Sequence, residues 1–184
     1  MIKPILILLL SMISVTQSAL ADDVPLPGSM APAFALPDQH RKEITLDSLR
    51  GRWLVLYFYP KDDTPGCTEE ACNFRDDLAQ LTALGAQIVG VSVDDTRSHA
   101  EFAKKHHLPF SLLADRDGAV ARRYGAYADW KLVRYARRYT FLIDPQGKIA
   151  KTYLKVDTSR HSSEIIADLK QLLLLSPTHQ TTGK

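Results

Sequence analysis

Residues 53–59, Trp53-Leu-Val-Leu-Tyr-Phe-Tyr59, are apolar without interruption, rich in aromatic and β-branched side chains, and bounded by Gly51 and Pro60. That pattern predicts a strand buried on both faces at the centre of a sheet. Beyond it, Ala71, Phe74, Leu78, Leu81 and Leu84 recur at three- and four-residue spacing up to Gly85, predicting one amphipathic helix over 68–84. Strand and helix then alternate: a strand over 87–93, a helix over 99–106, a short strand over 111–114 and a brief helix over 118–124. The segments 138–144 and 148–155, joined by the turn 145–147, predict an antiparallel hairpin, and 162–175 a last helix. Ahead of the central strand, 22–37 carries four prolines and reads as an extended lead-in, 38–42 as a hairpin turn and 45–50 as a single helical turn. This order gives a layered α/β sandwich, a central mixed sheet flanked by helices, with functional residues expected where strands end and helices begin.

The two ends stand outside that pattern. Met1-Ile-Lys3, an apolar run to about Val15 and Ala19-Leu20-Ala21 have the layout of a secretory signal with an A-x-A cleavage site. The run is shorter than the roughly 18–20 residues needed to cross a bilayer. Cleavage after Ala21 and an exported, periplasmic mature chain beginning at Asp22 are the expectation, with no stable membrane association afterwards. Residues 22–175 then form one domain, and the polar tail 176–184 has nothing to bury and is expected to be disordered. Charge narrows the partners. The net charge is +2, from 23 basic and 21 acidic side chains that are interleaved, so no electrostatic footprint for nucleic acid or an anionic membrane exists. Small molecules and other proteins are expected instead, with no cofactor and no metal.

The chain has two cysteines, Cys67 and Cys72. In an oxidising compartment a structural disulfide is the default reading of such a pair, so position has to decide. Cys67 falls in the first turn of the helix after the buried strand. There, unpaired N–H groups and the positive end of the helix dipole favour a thiolate, the nucleophilic form of sulfur. Pro65-Gly66 present it on a turn. Thr64 has two readings, as a helix cap and as a hydroxyl that holds the sulfur and an incoming substrate. Pro60, with no N–H and a fixed φ, can form a dry wall beside the sulfur without a competing donor. Glu70 lies in the first helical turn, where a glutamate is expected for the dipole alone, and although it also fits the active-site motif of the family named next, it is a minor candidate.

The spacing Pro60-x-x-x-Thr64-x-x-Cys67 resembles the active-site motif of peroxiredoxins. The longer run Phe58-Tyr-Pro-Lys-Asp-Asp-Thr-Pro-Gly-Cys-Thr-Glu-Glu-Ala-Cys-Asn-Phe-Arg-Asp76 is similar to their bacterioferritin comigratory protein, or PrxQ, subfamily. The resemblance spans about 24–175 and implies a thioredoxin-like fold and a thiol-dependent peroxidase acting on hydrogen peroxide and organic hydroperoxides. It implies that Cys67 is peroxidatic and Cys72 resolving, that the two form a redox disulfide, and that a thioredoxin-like or other thiol donor reduces it. A monomer is also implied. The family's later-strand arginine, three residues before a Phe, corresponds to Arg138 of Arg138-Tyr-Thr-Phe141; its neighbour Arg137 is the competitor, and strand alternation lets only one of them face the site.

Thiolate attack on a hydroperoxide would give a sulfenic acid at Cys67 and release an alcohol or water. Cys72 lies five residues on, which in an intact helix is about 7.5 Å of rise and roughly 140° of rotation. A disulfide needs Cα atoms within about 7 Å and converging Cβ vectors, so the helix must open before Cys72 attacks. An exported thioredoxin-like disulfide oxidoreductase is the alternative, but it would carry Cys-x-x-Cys and leave Thr64 and Arg138 unexplained. A copper-binding chaperone would need His161 as third ligand, whereas His161 reads as the start of the last helix. His40, His99, His106, His107 and His179 read as surface residues. The rim of the substrate pocket is expected around Tyr127 and Trp130.

Overall fold

The computed structural model describes residues 24–130 and 133–175. The expected signal 1–21 and the tail 176–184, with His179, lie outside the described residues. Among the described residues no helix is long and apolar enough to cross a membrane.

Strands β1 (Ala35–Pro37) and β2 (Glu43–Thr45) form the small leading hairpin, and Asp47–Leu49 make one 3-10 turn. The core sheet contains β3 (Trp53–Phe58), β4 (Ala86–Ser92), β5 (Ser111–Ala114), β8 (Thr140–Ile143) and β9 (Ile149–Tyr153), in the order β5-β4-β3-β8-β9. The apolar run of 53–58 is buried at every position and occupies the middle of the sheet. It pairs parallel with β4, Trp53 opposite Ala86, and antiparallel with β8, Tyr57 opposite Thr140. Because β8 runs against β3, the start of β8 lies at the end of β3, the end from which the chain leaves towards Cys67.

Period-two alternation along β3 divides the core. Val55 and Tyr57 face a layer with Phe74, Phe102, Leu142, Ile165 and Leu169. Leu54, Leu56 and Phe58 face Val91, Tyr124 and Phe141 on the other side. Helices α1 (Pro65–Asp76), α2 (Leu78–Ala83), α3 (Thr96–His106), α4 (Ala119–Arg123) and α5 (His161–Leu175) complete the layers.

Three differences from the sequence expectations have physical causes. The single helix over 68–84 is two, broken at Asp77, whose backbone (φ −90°, ψ 4°) leaves helical geometry while its carboxylate accepts a hydrogen bond from Ser162 Oγ at 2.7 Å. The first of them begins at Pro65, where a missing N–H costs nothing and the ring supplies a helical φ. A ribbon of β6 (Tyr127–Trp130) and β7 (Val133–Ala136) stands apart from the core sheet. Its outer half is exposed, so it carries no alternation to read.

Candidate active site

After Phe58 the chain turns through a loop that is pinned from beneath. Asp62 is buried and accepts hydrogen bonds from Tyr59 Oη at 2.7 Å and Ser98 Oγ at 2.7 Å, lies 2.9 Å from His99 Nδ1, and donates its own N–H to Asp94 Oδ2 at 2.9 Å. His99, expected at the surface, is fully buried in this network. It sits on the inner face of α3, where its ring also packs against Tyr59. Asp63 follows in a left-handed conformation (φ 57°), bound to His106 Nε2 and Lys105 Nζ at 2.8 and 3.0 Å, hydrogen bonds that draw its carboxyl below the usual range. His106 is therefore half-buried rather than free.

Thr64 occupies the N-cap position of α1, but its side chain does not cap. Its hydroxyl donates to Lys61 O at 3.0 Å, and its own carbonyl accepts the first helical bond from Thr68 N at 2.9 Å. Cys67 is the third residue of the helix, 1% exposed, and reduced. Its Sγ accepts a hydrogen bond from Arg138 Nη2 at 3.2 Å, across 71 residues of sequence. Arg138 and Arg137 both precede β8, so strand alternation does not separate them. Arg138 turns inward with its side chain 21% exposed, and Arg137 is exposed. Gly66 lies beside this contact, where a Cβ would come to within 3.4 Å of Arg138 Nη2, the edge of ordinary van der Waals contact.

The second arm of Arg138 binds Glu70, Nη1 donating to Oε2. Glu70, a minor candidate in the sequence, has a fully buried side chain. Burial pushes its carboxyl up to about 7 although Arg138 pulls the other way. Burial works against the charge on Arg138 as well, but Glu70 and Cys67 more than offset that and hold its pKa above the ordinary value. His161 opens α5 as expected and is buried behind Glu70. Its Nε2 is 2.9 Å from Thr140 Oγ1 and 3.9 Å from Glu70 Oε1, and burial, then the charge of Arg138, push it down to about 4, a neutral ring. Glu70 Oε1 and His161 Nδ1 are buried without hydrogen-bond partners. The fully buried Tyr57 ring completes this pocket, its phenol pushed well above its ordinary value by burial and by the nearby acids.

Cys72 is half-buried and reduced, one and a half turns further along the same intact helix. That stretch of helix is tied to the segment before α5. Thr158 Oγ1 donates to Glu69 Oε2, between the two cysteines, and Thr158 O accepts from Asn73 Nδ2 at 2.9 Å, just past the second. Pro60 is half-buried and lines a cavity of about 410 Å³ together with Lys61, Val93, Asp94, Val133, Arg134 and Tyr135. The wall next to Pro60 thus comes from β7. Tyr127, expected at the rim, is buried under the guanidinium of Arg122 at 3.6 Å, and Trp130 is exposed. Among the described residues no group of three or more His, Cys, Asp or Glu side chains is placed to hold a metal ion.

This arrangement, a buried sulfur at a helix N-terminus touched by one guanidinium, suits nucleophilic attack and stabilisation of oxygen charge. Comparison with known proteins agrees with that chemistry. Residues 27–152 match the AhpC/TSA family. Peroxiredoxin Bcp of Bacillus subtilis is 41% identical over 152 residues, covering 79% of this chain and 95% of that protein. The crystal structure of peroxidoxin BcpB from Mycobacterium tuberculosis superposes with a TM-score of 0.76 at 32% identity, over 80% of this chain and 98% of that one. A structure of the bacterioferritin comigratory protein of Xanthomonas campestris, studied for its alkyl peroxide reduction activity, gives 0.73 at 34% identity, over 81% and 97%.

Proposed function

The chain belongs to the AhpC/TSA family, within its Bcp/PrxQ peroxiredoxin branch, and is a thiol-dependent peroxidase; on that footing we propose that Cys67 is its peroxidatic sulfur and Cys72 its resolving one. The observation that carries the assignment is the 3.2 Å hydrogen bond from Arg138 Nη2 to Cys67 Sγ at the start of α1. Arg138 and the helix N-terminus favour the thiolate, which attacks the terminal oxygen of a hydroperoxide. The S–O bond forms as the O–O bond breaks, giving a sulfenic acid and an alcohol, or water from hydrogen peroxide. Arg138 is placed to meet the charge that gathers on the departing oxygen. Thr64, whose hydroxyl already spends its proton on Lys61 O, has oxygen lone pairs left to accept from the hydroperoxide. Pro60 is assigned the wall beside the sulfur on the strength of its place in the motif, since it has no N–H to compete as a donor.

Cys72 then attacks the sulfenic sulfur, expelling water and forming the Cys67–Cys72 disulfide. Both residues lie in one unbroken helix, so this step requires residues 67–72 to unwind. A thioredoxin-like dithiol closes the cycle by reducing the disulfide. Organic hydroperoxides are the proposed substrates beside hydrogen peroxide, in line with the alkyl peroxide activity of the Xanthomonas relative. Export to the periplasm rests on the signal layout of residues 1–21, and a monomer on the sequence resemblance.

The test is single-turnover oxidation of the reduced protein by hydrogen peroxide and by cumene hydroperoxide, with sulfenic acid trapped in wild type and in Cys72→Ser. Fast oxidation that leaves a lasting sulfenic acid only in Cys72→Ser is the expected result. Reaction no faster than that of free cysteine would remove the assignment of Cys67.

A further inference from the structure

Arg138 divides one positive charge between two acids. One arm of its guanidinium holds Cys67 Sγ, 1% exposed as a residue, and the other holds Glu70 Oε2, on a side chain with no exposure at all. No other cation is hydrogen-bonded to either acid among the described residues. The remaining neighbours of Glu70 do not supply one: His161 on α5 is neutral, Tyr57 on β3 keeps its proton, and Thr140 on β8 is uncharged. With both acids ionised, the pocket would hold two negative charges against one positive in a setting where an uncompensated charge is costly. One proton therefore belongs to the pair, as in any two close acids that cannot both ionise. Glu70 Oε1 is buried and without a partner, a setting in which a carboxylate is costlier to hold than a neutral carboxyl.

We propose that Glu70 is the proton store of Cys67: when the sulfur is a thiolate, its proton sits on the Glu70 carboxyl and leaves again as the sulfur is oxidised. This rests on the peroxidatic role given to Cys67 above. The balance of the step follows. Thiolate, protonated Glu70 and ROOH become sulfenic acid, Glu70 carboxylate and ROH. The S–O bond forms, the O–O bond breaks, sulfur is oxidised and peroxide reduced. The sulfenic hydrogen comes from the peroxide, and the proton of the alcohol is matched by the one that Glu70 gives up. The trigger is electrostatic: once sulfur has lost its negative charge, Arg138 faces Glu70 alone, and the carboxylate becomes the favoured form. Burial pushes the Glu70 carboxyl up to about 7, which places this exchange near neutrality. Glu70 acts through Arg138 and is a positioning residue in this sense, with no contact to substrate required.

The experiment counts protons. In a Cys72→Ser background the reaction stops at the sulfenic acid, and a pH-indicator dye in a weakly buffered stopped-flow mixture at neutral pH reads proton uptake as Cys67 is oxidised by hydrogen peroxide. Glu70→Gln keeps an acceptor for Arg138 but stores no proton, so it is expected to take up about one proton more per sulfur than the Glu70 parent. Infrared difference spectra of the parent, which need no Glu70 variant to fold, are expected to lose a buried carboxylic C=O band on oxidation. Equal proton uptake in the two proteins, or an unchanged carboxylic band, overturns the proposal. A parent that oxidises rapidly with neither signal loses only the proton store, whereas a parent that does not react with peroxide loses the role of Cys67 itself.

Discussion

Arg138 meets its two partners through separate arms of one planar group, which an ammonium cannot imitate. Arg138→Lys keeps the charge and loses the fork, and the second-order rate of sulfenic acid formation is expected to fall by about 10²- to 10³-fold, read by single-turnover fluorescence. At Thr64 the structure separates two roles that the sequence left joined. Its hydroxyl does not cap α1, so Thr64→Val is expected to cost less than the ~1 kcal/mol of a lost cap in urea denaturation yet slow peroxide attack, while Thr64→Ser retains the rate. Cys67, Cys72 and the loop from Pro60 to Thr64 stood out in the sequence because cysteines are scarce here and the spacing is local, whereas Arg138 was picked out by the family resemblance, three residues before Phe141. Glu70 was read only as a minor candidate, since a glutamate in a first helical turn is expected for the dipole alone, and only the packing of α5 over α1 shows that this one is sealed. His99 escaped for a similar reason. An isolated histidine in a charged helix gives no sign of the buried Asp62 it pairs with.

At the scale of the element, α1 must be stable enough to hold Cys67 against Arg138 and loose enough to open. Thr158 bears on that balance from both sides of Cys72, by its hydroxyl to Glu69 and its carbonyl from Asn73. Thr158→Val removes the first bond and keeps the second. A hydrogen bond of about 1 kcal/mol corresponds to roughly a fivefold change in the opened population. The expected outcome is faster conversion of sulfenic acid to disulfide, and a smaller fraction of Cys67 driven to sulfinic acid at high peroxide, measured by quenched-flow and mass spectrometry. An unchanged resolution rate would show that another contact governs the opening. The long strands and most helices were legible from their periodicity. The break at Asp77 was not, because it depends on Ser162 from a distant helix, nor was the ribbon β6–β7, where exposed Trp130 and Val133 interrupt any alternation.

For the molecule as a whole, two buried groups tie stability to pH in opposite senses. Glu70 binds its proton more tightly folded than unfolded, so its contribution is present below its ordinary 4.5 and lost as pH rises towards about 7. His161 binds its proton less tightly when folded, so its contribution is present above 6.5 and lost as pH falls towards about 4. Between pH 4.5 and 6.5 the two slopes, each at most about 1.4 kcal/mol per pH unit, offset one another. Relative to wild type, Glu70→Gln is therefore expected to gain stability with rising pH across that window, and His161→Gln to lose it. Urea midpoints taken across the window test both signs. The layered architecture behind this was legible in the order of elements; the opposed pair was not, since it exists only where the start of α5 meets the start of β8.

The antiparallel pairing of β8 with β3 also fixes when the reactive sulfur comes into being. Cys67 is translated 71 residues before Arg138, and until β8 closes on β3 it is an ordinary thiol in an unfinished chain. Peroxide reactivity should thus arrive late in refolding, after helical signal has returned, and serve as a stopwatch for closure of the sheet. A nascent chain would then meet oxidant with no more haste than free cysteine, and the protein would become a target for peroxide only when it is ready to survive the encounter.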